Sequence, residues 1–113
     1  MKNHRTLDPR AAARAESSLY RAILSLENEA ECRKFFADLC TPAELEALVD
    51  RWAVVAHLEN GLPYRKIHDL TGVSVTTSGR VARFLSNGNG GYRIALERLA
   101  SQSSQRRRRN NAD

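Results

Sequence analysis

Between Gly72 and Val81 the chain reads Gly-Val-Ser-Val-Thr-Thr-Ser-Gly-Arg-Val, a cluster of hydroxyls at Ser74, Thr76, Thr77 and Ser78 closed by Gly79. Hydroxyls can both donate and accept, so such a cluster at the start of a helix suits base edges and phosphate oxygens. The surrounding segment, YRKIHDLTGVSVTTSGRVARFL over residues 64–85, has the layout of a helix-turn-helix. A short helix stops at Gly72, which supplies the left-handed backbone of the turn, and a second helix follows. Ile67, Val73 and Val81 are spaced to pin both helices to a core. A second helix of this kind can enter a major groove by its N-terminal end. The same glycine-turn hairpin also builds purely structural helical bundles.

Other chemistries find little support. No nucleophile–base pair or carboxylate pair is spaced for catalysis, and Gly88–Gly91 lacks the preceding strand of a phosphate-binding loop. The chain is therefore read as a non-enzyme. His4, His57 and His68 share no helix face and have no cysteine at ligand spacing, which argues against a metal site. Cys32 and Cys40 are too few for a disulfide framework; they read as buried thiols, with a redox switch as the alternative.

The elements that must position the hydroxyl cluster are all helical. The chain has 113 residues, 42% of them apolar and 27% charged, which fits one small domain with a packed core. Residues 1–14 read as a basic flexible arm, lacking the apolar region of a secretory signal. Leu19, Ile23, Leu24 and Leu26 set a helical period over about 15–27. Asn28, with Glu31 three residues later, offers an N-cap for a helix through Phe35, Phe36 and Leu39, unless the two form one kinked helix. Thr41-Pro42-Ala43-Glu44 carries the strongest start signal: a capping hydroxyl, a proline at the first helical position and a glutamate at the third. The helix it opens carries Leu45, Leu48, Val49, Trp52, Val55 and Ala56 as an expected buried stripe, and Asn60-Gly61 ends it. Helices over about 64–70, 75–86 and 92–100 follow, the last two separated by Asn87–Gly91. No segment alternates with period two, so the fold is read as all-α with about six helices. Residues 101–113, SQSSQRRRRNNAD, lack apolar content and are expected to be disordered.

The formal charge is +5, from 18 Lys+Arg against 13 Asp+Glu. Residues 101–113 hold four arginines and one aspartate, which leaves residues 1–100 with a balance of +2. A polyanion partner fits this, although charge alone would serve RNA or a membrane surface equally. No apolar run approaches the ~20 residues of a membrane span. A cytoplasmic protein is the default.

The order of caps, glycines and arginines resembles the Trp repressor superfamily, and most of all its YerC/YecD-type branch. The shared features are Leu39-Cys40-Thr41-Pro42-Ala43-Glu44, Glu46-Ala47-Leu48, Arg51, Leu58 and Gly61. They continue with Tyr64-Arg65-Lys66-Ile67, Thr71-Gly72-Val73-Ser74, Thr77, Arg80-Val81 and Leu85. The likeness spans roughly residues 20–100. It implies an intertwined, all-helical homodimer whose two reading heads meet successive major grooves of double-stranded DNA. The apolar faces, with Leu19, Ile23, Leu24, Phe35, Phe36 and Leu39, are compatible with such a partner. Residue by residue, the resemblance sets Arg65, His68, Thr76, Thr77 and Gly79 at the DNA. Arg65 is suited to a bidentate guanine contact, and Lys66 or Arg83 to phosphate. Ser74 completes the set.

In the tryptophan-binding relatives two arginines sandwich the ligand ring, and Arg51 and Arg80 match them, with Thr41 beside the ligand carboxylate. Val81 and Phe84 depart from that pattern, standing where those relatives have glycine and serine. Valine intrudes into the ring slot and phenylalanine cannot accept a hydrogen bond from the ligand's amino group. The expectation is a repressor that works without tryptophan and without a cofactor, its small-molecule effector absent or unknown, and Thr41, Arg51, Arg80, Val81 and Phe84 a vestigial pocket. Ser78 stands where an apolar anchor is usual, and a mid-helix Gly79 costs about 1 kcal/mol against alanine, so the reading helix is expected to be loosely held. Arg106–Arg109 reads either as a phosphate clamp or as an inert solubilising tail. The alternative function is a helical protein-interaction module that has lost specific DNA readout.

Overall fold

A computed structural model describes residues 8–111, which form six helices and, among those residues, no strand. They are α1 (Pro9–Leu24), α2 (Glu29–Leu39), α3 (Pro42–Glu59), α4 (Tyr64–Thr71), α5 (Val75–Asn87) and α6 (Gly91–Asn110). The chain divides into two compact units at the first turn of α3, after Leu45.

The first unit is built by its caps. α1 starts at Pro9, six residues before the expected boundary, because Asp8-Pro9 supplies a proline at the first helical position and Ala11-Ala12-Ala13 are strong helix formers. The flexible-arm reading is thereby corrected for residues 9–14; residues 1–7 lie outside the described residues. α1 ends at Leu24, and α2 is a separate helix rather than the continuation of a kinked one. Asn28 caps it, its side chain accepting from the Glu31 amide at 2.9 Å, while Glu31 reaches back to the Glu27 amide at 2.9 Å. At α3 the Glu44 amide donates to Thr41 Oγ1 at 3.1 Å and the Thr41 amide to Glu44 Oε1 at 2.8 Å, a reciprocal capping box. Phe35 and Phe36 meet edge to face at 5.5 Å. No described residue of this unit is buried, and Leu24 and Leu39 are 82% and 51% exposed. Unit one is therefore well capped and poorly cored.

The second unit holds the core: Val54 and Val55 of α3, Ile67 of α4, Val73 of the turn and Val81 of α5, ringed by Leu58, Leu62, Leu85, Tyr92 and Leu96. α3 ends in a Schellman arrangement. Gly61 sits at φ +78°, its amide donates to the Leu58 carbonyl at 2.9 Å, and the Leu62 amide donates to the His57 carbonyl at 3.1 Å. An Arg93–Glu59 ion pair at 2.6 Å ties α6 to the end of α3. The expected buried stripe of α3 is only partly realised. Val55 is buried, but so is Val54, which lies off that stripe, while Val49, Leu48 and Trp52 are at least a third exposed. The apolar residues of α3 cover more than one face; α4–α6 take the face bearing Val54, Val55 and Leu58, and Tyr92 of α6 also meets the Trp52 ring at 6.3 Å.

α6 runs to Asn110, through the segment expected to be disordered. No glycine or proline interrupts residues 92–110, and a helix already nucleated on the core adds a hydrogen bond for each further residue. Low apolar content argues against burial, and here it did not prevent helix formation.

Two glycine substitutions should move stability in opposite directions. Gly72→Ala places a side chain at φ +78° and is expected to cost about 1–2 kcal/mol. Gly79→Ala adds a Cβ mid-helix whose nearest neighbour is Tyr64 Cε2 at 3.7 Å, an ordinary contact, and should gain up to about 1 kcal/mol. Urea unfolding of the two variants checks both signs.

Candidate nucleic-acid interface

The turn between α4 and α5 is fixed by four hydrogen bonds and one left-handed residue. The Thr71 hydroxyl donates to the Ile67 carbonyl at 2.7 Å and accepts from the Val73 amide at 3.0 Å. Gly72, at φ +78°, donates its amide to the His68 carbonyl at 2.8 Å. His68 Nδ1 lies 3.1 Å from the Val73 carbonyl, and because a carbonyl only accepts, Nδ1 carries a proton. Ile67, Val73 and Val81 then bury one side of the motif.

The hydroxyl cluster divides into three roles. Ser74 is the N-cap of α5: its Oγ accepts from the Thr77 amide at 3.1 Å and lies 3.1 Å from the Thr77 hydroxyl. The cap thus engages Ser74 and Thr77, both expected at the DNA. Ser78 is fully buried, one turn before Val81 on the inner face, and its Oγ has no hydrogen-bond partner. Of the four hydroxyls, Thr76 is exposed and uncommitted. Arg65, Lys66 and Arg83 are exposed too, and none is in an ion pair among the described residues, where the pairs are Arg33–Glu29 and Arg93–Glu59. Thr76, Gly79 and Arg83 border one concave strip of α5 together with Val75, Arg80 and Phe84. Val75, half exposed at the first position of the helix, is a residue that the hydroxyl pattern drew attention away from.

Four of the five expected pocket residues come together. Arg51, Arg80, Val81 and Phe84, with Thr77 and Tyr92, line a hollow of about 190 Å³. Val81 is 2% exposed, so its side chain belongs to the core as much as to the hollow. Thr41 is committed elsewhere, to the capping box with Glu44. Among the described residues no group of three or more His, Cys, Asp or Glu could hold a metal ion, and no helix is long and apolar enough to cross a membrane.

Charge is sharply divided along the chain. Residues 64–113 hold ten Lys+Arg against three Asp+Glu, +7, whereas residues 1–63 hold eight against ten, −2. Cutting the sequence at the Arg-rich tail hides this, because the acidic first half offsets the basic helix-turn-helix.

The profile of the Trp repressor protein family matches residues 16–100. The chain belongs to the Trp repressor family. It is 44% identical over 81 residues to the uncharacterised protein YerC of Bacillus subtilis, an overlap of 72% of this chain and 78% of YerC. Among solved structures it is similar to a TrpR-like protein from Eubacterium eligens, at 38% identity and a TM-score of 0.76, covering 82% of this chain and 96% of that one. It is also similar to a candidate Trp repressor from Staphylococcus aureus, at 41% identity and a TM-score of 0.73, covering 76% and 86%. Family membership puts the chain among DNA-binding regulators of transcription, not among enzymes.

Ser78 generates a direct test. An unpartnered buried hydroxyl costs about 1–3 kcal/mol, and serine is also a weaker helix former than alanine. Ser78→Ala is therefore expected to raise the melting temperature by at least about 4 °C. An unchanged or lowered melting temperature would mean that the hydroxyl is satisfied.

Proposed function

We propose that this protein is a sequence-specific transcriptional repressor that binds double-stranded DNA as a homodimer through α4 and α5, without tryptophan as co-repressor. The observation that carries the reading is a rigidly fixed turn that leaves Arg65, Lys66, Thr76 and Arg83 outward, exposed and without ion-pair partners, in the strongly basic half of the chain. Arg65 presents a planar fork suited to guanine O6 and N7, while Lys66 and Arg83 suit phosphates. His68, exposed on α4, keeps Nε2 free of the turn, and the backbone at Gly79 permits close approach. In this reading the Ser74–Thr77 cap keeps the N-terminal end of α5 formed, so these two residues contribute chiefly by positioning Thr76.

The dimer is supported by the first unit. A capped pair of helices with no buried residue among those described lacks the apolar burial that offsets chain ordering. A second copy of the chain would supply it. Two copies related by a two-fold axis would then set two reading heads about one helical turn of DNA apart. Sedimentation equilibrium should return twice the 12.7 kDa of one chain. Such a protein acts in the cytoplasm, on nucleoid DNA.

Independence from tryptophan is supported by the hollow at Arg51 and Arg80. Val81 and Phe84 both stand in its lining, where valine takes up the ring slot and phenylalanine cannot accept a hydrogen bond from a ligand's amino group. Arg51 and Arg80 then serve structure or phosphate. A co-repressor and DNA must tighten each other's binding by the same factor, so equal DNA affinity with and without saturating tryptophan is expected. A tenfold gain with tryptophan would contradict this.

Retention of sheared genomic DNA at about 150 mM salt, followed by sequencing, tests the whole reading. A short two-fold-symmetric site is expected, and Arg65→Ala should weaken binding to it by about 1–3 kcal/mol. Retention without any shared site, abolished by modest added salt, would leave phosphate binding only and favour a protein-interaction module.

A further inference from the structure

The basic charge of the chain does not end with the helix-turn-helix. α6 packs Tyr92 and Leu96 against the core of the second unit and then continues as one helix to Asn110, carrying Arg106, Arg107, Arg108 and Arg109. All four arginines are exposed, and no acidic residue occurs between Glu97 and Asn111. At a rise of about 1.5 Å per residue, the arginines stand roughly 15–20 Å along the helix beyond Leu96. They are presented on a rod, not on a loose tail.

The distribution of these side chains selects the kind of partner. Successive residues of a helix turn by about 100°, so four consecutive arginines point to nearly every side. Beyond Ala100 the helix carries no apolar residue. It has no greasy stripe with which to lie in a membrane interface or fill a protein groove. What remains is high positive charge without shape, which matches a polyanion with closely spaced phosphates. Favourable interaction with the carbonyl end of the helix dipole stabilises cations in the last turn, but that interaction is small at exposed positions and leaves the guanidinium donors free.

We propose that the arginine-bearing end of α6 is a second DNA contact, independent of sequence, which engages the phosphate backbone of the same duplex that α4 and α5 read. The inference rests on the DNA-binding reading above. Once the reading head is seated, the shared chain keeps α6 at high effective concentration near the duplex, and arginines that reach a phosphate add affinity without adding discrimination.

The test compares the full-length chain with a variant carrying Arg106→Gln, Arg107→Gln, Arg108→Gln and Arg109→Gln. Glutamine keeps the helix-forming tendency of arginine, and far-UV circular dichroism checks that the helix persists. Affinity is measured against salt concentration on the duplex recovered from genomic selection and on a scrambled duplex of equal length. Each arginine that engages a phosphate steepens the salt dependence by about 0.9 log units, and with the arginines on the duplex side of the helix engaged the variant should lose about 1–2 per chain on both duplexes. The ratio of its two affinities should stay unchanged. Unaltered slopes on both duplexes would overturn the proposal. So would unaltered slopes accompanied by lost binding to single-stranded RNA or to anionic vesicles, which would assign the arginines to that partner instead. A wild-type chain that binds both duplexes equally would overturn the sequence-specific reading, and the difference in slope would still decide the arginines.

Discussion

Everything that faces outward on α4 and α5 depends on how Gly72 turns the chain. At φ +78° this residue reverses α4 without a strain that a side chain would introduce, and the turn delivers Val73 inward beside Ile67 and Val81. Thr71 and His68 spend their polar groups on the turn itself, and Ser74 starts the next helix three residues on. Those restraints, with the shared burial of Ile67, Val73 and Val81, limit how the two helices can pack. Arg65 and Thr76, on different helices, are thereby held in a fixed relation, which reading a sequence of bases requires.

Against that rigidity stands one deliberate-looking weakness. Ser78 occupies a fully buried position on α5 with an unpartnered hydroxyl, and Gly79 follows it. Both lower the stability of α5, while the turn and the cap hold its N-terminal end. The first unit has the complementary character: the starts of α2 and α3 are capped by side chains, but its apolar side chains are at best partly buried. Stability in this chain is thus concentrated around Val54, Val55, Ile67, Val73 and Val81.

Much of the fold was legible in the sequence because the signals were backbone requirements. Asn28 with Glu31, Thr41 with Glu44, and the glycines at 61 and 72 each answer a local need that the chain cannot meet otherwise. Burial was less legible. α3 is apolar on several faces, and only its neighbours decide that Val54 rather than Val49 goes inside. The roles of the hydroxyls were hidden for a similar reason. Ser74, Thr76, Thr77 and Ser78 are chemically alike, and only the position of each relative to the helix start separates cap, surface and core. The N-cap rule would have assigned Ser74 and Thr77, but Ser78 required the three-dimensional packing. The Arg-rich segment misled in the opposite direction, since absence of apolar residues removes a reason for burial and not the propensity of Gln and Arg to remain helical.

Methylation interference on the selected duplex tests the central claim most directly, because guanine N7 lies in the major groove and adenine N3 in the minor groove. The expected result is interference at guanine N7 in two patches about one helical turn apart, lost at a guanine when Arg65 is replaced by alanine. Interference confined to adenine N3, or none at either position in a duplex the protein still retains, would contradict the assignment of α4 and α5 as the reading head.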